Sequence, residues 1–124
     1  MATIWQLIER RAGETPDDVM LIDESDRRVT FGAFRDQAAA LAAGLAGAGI
    51  GSESRVTWQL PSSIDAAITM AALSRLDAVQ CPVLHLYRKK ELGFVLKHTG
   101  AEYCIVPGEW KGFDYTAMAD ELAA

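Results

Sequence analysis

Residues 55–83 read RVTWQLPSSIDAAITMAALSRLDAVQCPV. Arg55 to Leu60 alternates, with Val56, Trp58 and Leu60 on one face, as a half-buried strand does. Pro61-Ser62-Ser63 turns the chain, and Ile64, Ala67, Ile68 and Ala71 then recur at helical spacing as the buried face of a helix over 64–76. Ala78 to Val83 returns to strand character. Lys89 to His98 predicts a second helix, with Leu92, Val95 and Leu96 inward and Gly100 as its stop. Ala101 to Val106 is a third strand, broken by Pro107 and Gly108. Asp114 can cap a last helix, Tyr115 to Leu122. Strands that alternate with helices of this length imply a parallel sheet.

Upstream, Thr3 to Ala12 reads as a helix with Thr3 as N-cap, Ile4, Leu7, Ile8 and Arg11 at helical spacing, and Gly13 as its stop. Val19 to Asp23 and Arg28 to Thr30, joined by a polar turn, predict a hairpin. Thr30 caps a helix to about Ala48, lined by Leu41 and Leu45, with Ala33 where a capping box would place Glu or Gln. The fold class is therefore α/β: an N-terminal helix and β-hairpin followed by a βαβαβ parallel-sheet unit. No linker or repeat divides residues 1–124, so one domain is expected.

The chain has 124 residues, half of them hydrophobic, and a formal net charge of −5. A sizeable core is expected, and the acidic balance argues against a nucleic-acid partner, which needs clustered Lys and Arg. Glu9, Arg10 and Arg11 occupy the place of a signal peptide's apolar core, and the longest apolar stretch, Ala38 to Ile50, is too short to span a bilayer. A cytoplasmic protein is expected, with no membrane span.

Chemistry is sparse. Gly47-Ala48-Gly49-Ile50-Gly51 superficially resembles a dinucleotide fingerprint but fails on spacing, and it ends a helix instead of joining a strand to one. No GxxxxGK[ST] or GxSxG occurs. Ser62 and Ser63 read as helix caps. His98 falls in the last turn of a helix, where the dipole favours a cation. His85 lies just after a strand, at the ligand-prone end of a parallel sheet. Arg88-Lys89-Lys90 opens a helix, where cations oppose the dipole, so Arg88 is a candidate for an anion site. Neither Cys81 nor Cys104 has metal spacing. Consecutive strands commonly lie side by side, which would bring the two together, yet reduced thiols are expected because such neighbours seldom present disulfide geometry. No metal site and no catalytic residue is read from the sequence.

Ordered motifs carry a further signal. They are Leu21-Ile22-Asp23-Glu24 with Arg27 to Gly32, Leu41-Ala42-Ala43-Gly44-Leu45 with Gly49-Ile50-Gly51, and Val56 to Leu60 with Pro61 and Ser62. Ala72 to Val79, Tyr87-Arg88 with Glu91-Leu92, Thr99 to Glu102, and Trp110 to Tyr115 follow in the same order. This series resembles the start of the adenylate-forming acyl- and aryl-CoA synthetases. The departures are Ala33 in place of a glutamate, Asp77 in place of a glycine, and Cys81 to His85 where Asn-Pro and a later proline are usual.

The resemblance implies that the chain is part of a larger adenylate-forming N-terminal domain. It implies a parent enzyme that joins a carboxylic acid to ATP with Mg²⁺, then passes the acyl group to CoA. The family's phosphate loop, ribose-binding aspartate and catalytic lysine have no match here. The chain alone is therefore expected to bind no cofactor and to be inactive. Its expected partners are the rest of the synthetase and, through apolar surface bearing Trp5, Trp58, Phe94 and Trp110, a second copy of itself. A stand-alone binding or interaction module and a carrier-loading adenylation domain are the alternatives.

Overall fold

The computed structural model describes residues 2–123. It consists of two compact units, Met1–Ser52 with Ser62–Ala78, and Glu53–Pro61 with Val79–Ala124.

The first unit begins with α1 (Ile4–Glu14), β1 (Val19–Ile22), β2 (Arg28–Thr30) and α2 (Phe31–Gly47), and takes in α3 (Ile64–Arg75). Thr3 caps α1 as expected, and the cap is reciprocal: Thr3 Oγ1 accepts from the Gln6 amide at 3.1 Å, and Gln6 Oε1 accepts from the Thr3 amide at 2.9 Å. This box satisfies two donors that the first helical turn leaves over. The residues at helical spacing do not share one buried face. Ile4 and Leu7 are exposed, while Trp5 and Ala12 are buried and Ile8 packs against the core. The indole is the largest apolar group on this helix, and burying it removes more surface from water than burying Ile4 or Leu7. Gly13 is not a stop, because helical hydrogen bonding continues to Glu14 and the Thr15 amide closes on the Arg11 carbonyl at 2.8 Å.

β1 and β2 pair antiparallel, and Asp23 Oδ1 accepts from the Ser25 and Arg27 amides to form the turn. Thr30 Oγ1 caps α2 through the Ala33 amide at 3.1 Å. Gly32 is required there: a Cβ would lie 3.0 Å from the Pro16 carbonyl oxygen, which the Gly32 amide approaches to donate a hydrogen bond. Ser63 caps α3 through the Ala66 amide. α3 is not one-faced as its spacing suggested, since Ile64, Ala66, Ile68, Thr69, Ala71, Ala72 and Leu73 are all buried. A helix rich in alanine presents little side-chain bulk and can be enclosed around much of its girth, although Asp65 and Arg75 stay exposed. Asp77 ends it with φ 59°, and its carboxylate accepts from Ser52 Oγ at 3.1 Å. Asp tolerates the left-handed region better than most residues, which is how it stands in for glycine here. The unit's core is Trp5, Val29, Phe34, Ala38, Ile64, Ile68 and Ala71.

The second unit holds β3 (Arg55–Trp58), β4 (Val79–Pro82), α4 (Lys89–Thr99), β5 (Tyr103–Ile105), β6 (Glu109–Trp110), β7 (Phe113–Asp114) and α5 (Tyr115–Ala123). β4, β3 and β5 form a parallel sheet in that order. The strand in the middle is thus the first in sequence. Val56, Thr57 and Gln59 are all buried, so the expected polar-out alternation fails. Cys81 and Cys104 both sit opposite Thr57, one on each side. They are not neighbours. Two strand spacings, roughly 9.5 Å, separate their backbones, beyond the about 7 Å a disulfide can span.

Gly100 caps α4 in the left-handed conformation with φ 67°, as read from the sequence. Asp114 caps α5 through the Ala117 amide at 2.9 Å. The small antiparallel hairpin of β6 and β7 was not foreseen; Lys111 and Gly112 turn it with φ 49° and 78°. Leu92, Tyr115 and Met118 centre this unit's core. Among the described residues no helix is long and apolar enough to cross a membrane.

Candidate functional site

In open parallel sheets, ligands collect outside the carboxyl ends of the strands. The β4–α4 loop, residues 83–88, occupies that end of the second unit. Sequence reasoning singled out His85 and Arg88 in it, and the structure brings the two together. Arg88 Nη1 donates to the carbonyl oxygens of His85 and Tyr87 at 2.9 and 3.1 Å. Its guanidinium lies over the Phe113 ring at 3.9 Å and near the Tyr115 ring at 5.5 Å. The arginine's first duty is thus to tie down its own loop, through charge-assisted hydrogen bonds and a cation–π contact. The His85 ring meets Trp110 edge-on at 4.9 Å. With Lys111, whose ammonium lies 4.8 Å from the Trp110 ring, these side chains line an open cleft of about 290 Å³.

Lys89 is paired with Glu121 at 2.8 Å, which draws it away from the loop. His98 stays in the last turn of α4, stacked on Phe94 at 5.3 Å. Ser63 works as a cap, as expected. Burial pushes the Cys104 thiol above its ordinary pKa, because the thiolate would lose its hydration. That makes it a poor nucleophile at neutral pH.

Gln59, Phe113 and Tyr115 belong to this region and were missed. Gln59 is fully buried, and Nε2 donates to the carbonyls of Leu84 at 3.0 Å and Tyr87 at 2.9 Å. Tyr115 Oη donates to the His85 carbonyl at 2.8 Å. A glutamine in the run Val56 to Leu60 was the available signal, since an uncharged amide in a central strand needs buried partners.

Among the described residues no group of three His, Cys, Asp or Glu could hold a metal ion.

A family model described as AMP-binding enzyme matches residues 8–124. The chain is 32% identical over 112 residues to a 2-hydroxy-7-methoxy-5-methyl-1-naphthoate–CoA ligase of Streptomyces carzinostaticus, covering 90% of this chain and 20% of that protein. It is 32% identical over 126 residues to a salicyl-AMP ligase/salicyl-S-ArCP synthetase of Mycobacterium tuberculosis, covering 98% and 22%. In three dimensions it resembles the NpsA N-terminal subdomain of Klebsiella oxytoca in complex with 3-hydroxybenzoyl-AMSN. The TM-score there is 0.84 at 27% identity, over 91% of this chain and 29% of that one. The chain spans about a fifth of the length of these two curated relatives. With the hairpin, the parallel sheet and the ordered motifs in place, the match over residues 8–124 shows that this chain belongs to the AMP-binding enzyme family.

Proposed function

We propose that residues 1–124 form the opening segment of the AMP-binding domain of an ATP-dependent acid–CoA ligase, a cytoplasmic enzyme that makes an acyl-adenylate and then an acyl-CoA. The family match from residue 8 onward carries this reading. The Streptomyces relative, itself named a CoA ligase, supports CoA as the acceptor. The segment's own contribution is a scaffold: a sheet whose carboxyl edge and β4–α4 loop face the side where substrates gather. ATP and Mg²⁺ are held chiefly by other parts of the enzyme, since no phosphate loop is present in this sequence. Arg88 remains the one anion-site candidate, acting through guanidinium edges beyond Nη1. A carrier-loading adenylation domain is the second reading, favoured by the relative named a salicyl-S-ArCP synthetase.

The test is acid-dependent exchange of labelled pyrophosphate into ATP across a panel of aliphatic and aromatic acids. The chain of 124 residues is expected to give none above blank; acyl-adenylate formation by it would overturn the scaffold reading. In the complete enzyme, transfer to CoA against transfer to a carrier protein separates the two readings.

The chain by itself is also expected to self-associate. Of the four residues expected to carry that surface, Phe94 is 68% exposed, Trp58 and Trp110 are only partly exposed and Trp5 is buried at 7%, while Leu84 and Leu86, at 58% and 69%, add to it. Covering such surface contributes roughly 25 cal/mol per Å², against association costs of about 4–15 kcal/mol. Sedimentation equilibrium at micromolar concentration is expected to show a dimer or larger species, and a clean monomer would contradict this.

A further inference from the structure

The β4–α4 loop turns its carbonyls inward, and each of three accepts twice. The Leu84 oxygen accepts from Gln59 Nε2 and from the Tyr87 amide. The His85 oxygen accepts from Arg88 Nη1 and Tyr115 Oη. The Tyr87 oxygen accepts from Gln59 Nε2 and Arg88 Nη1. Both lone pairs of every one of these oxygens are therefore used. With the carbonyls held inside, the side chains of Leu84 and Leu86 project outward.

Gln59 differs from the other two side-chain donors. Arg88 belongs to the loop's own end, and Tyr115 reaches a single carbonyl. Gln59 comes from the central strand, and both of its N–H groups are committed to the loop, at carbonyls three residues apart. Its Oε1 is buried with no hydrogen-bond partner. An orphaned buried acceptor is costly, and a leucine would fill similar space without that cost. The amide is thus explained by its two donors and not by packing. The backbone around it is anchored separately: the Gln59 amide donates to the Ile105 carbonyl, and the Val83 amide to the Trp58 carbonyl, both at 2.9 Å.

We propose that Gln59 is the positioning residue of the β4–α4 loop. From the middle of the sheet it sets the loop's backbone, and through it the placement of the His85 ring on Trp110 and of the Arg88 guanidinium on Phe113. The loop is thereby preset at the ligand-facing edge instead of being shaped by what binds there.

The test is native-state amide exchange on the full chain carrying Gln59→Leu. Loss of two ordinary hydrogen bonds corresponds to about a thirtyfold rise in exchange. That rise is expected at the Tyr87 amide, with the ladder amides of Gln59 and Val83 within about threefold of the parent. Equal acceleration of loop and ladder would reduce Gln59 to a core filler and overturn the assignment, as would an unchanged Tyr87 amide. If the leucine variant does not fold, Gln59→Met, unbranched and similar in length but lacking the donors, is read by the same two outcomes.

Discussion

Replacing Phe34 by alanine is expected to lower the stability of the chain by about 3–5 kcal/mol, the usual cost of emptying a buried aromatic site. Phe34 lies on α2 and is 1% exposed, at the centre of the cluster formed with Trp5, Val29, Ala38, Ile64, Ile68 and Ala71. Three of its neighbours are beta-branched and two are alanines. Side chains this short or stiff cannot swing into the vacated space, so the cavity stays open. Urea unfolding followed by circular dichroism measures the effect. A loss below about 1 kcal/mol would mean that the unit collapses around the hole and that α2 is not anchored by this ring.

The second large effect is expected at Tyr115, the bulkiest fully buried side chain. Its ring packs edge-on against Phe113 at 4.8 Å within the cluster around Leu92 and Met118, while its hydroxyl reaches the His85 carbonyl at 2.8 Å. Tyr115→Ala removes both contributions, for a loss of about 3–5 kcal/mol from the ring and roughly 1 kcal/mol from the hydrogen bond. Tyr115→Phe separates them. It keeps the ring, and the His85 carbonyl retains Arg88 as a donor, so only about 1 kcal/mol is expected to go. The same unfolding measurement on both variants decides. Equal losses would show that the hydroxyl, and not the ring, carries the site.

What was legible before the fold was seen, and what was not, divides by the range of the interactions. The caps Thr3, Thr30, Ser63 and Asp114 were readable because each satisfies an amide within three residues of itself. Gly100 was readable because a helix end demands a left-handed residue there. The hairpin and the βαβαβ succession follow from local periodicity and punctuation, and the family follows from the order of short motifs. The hairpin at Lys111 and Gly112 was hidden because two-residue strands show no period.

The candidate site was half visible. His85 and Arg88 could be named from their place after a strand, but their partners lie elsewhere in the chain: Gln59 at the end of the central strand, Phe113 on β7 and Tyr115 at the start of α5. Which residue meets which depends on strand order, and sequence adjacency suggested the wrong order for Cys81 and Cys104. Only the packed sheet places β3 between β4 and β5 with Val56, Thr57 and Gln59 all buried, and only the first unit's own core, with Phe34, Ile64 and Ile68, takes in Trp5 while Ile4 and Leu7 stay exposed. The sequence by itself determined the helices, the longer strands, their caps and the family, because those rest on neighbours along the chain. The tertiary structure alone decided the buried faces and the hydrogen bonds that hold the β4–α4 loop, because burial and long-range pairing depend on groups that the chain brings together only when it folds.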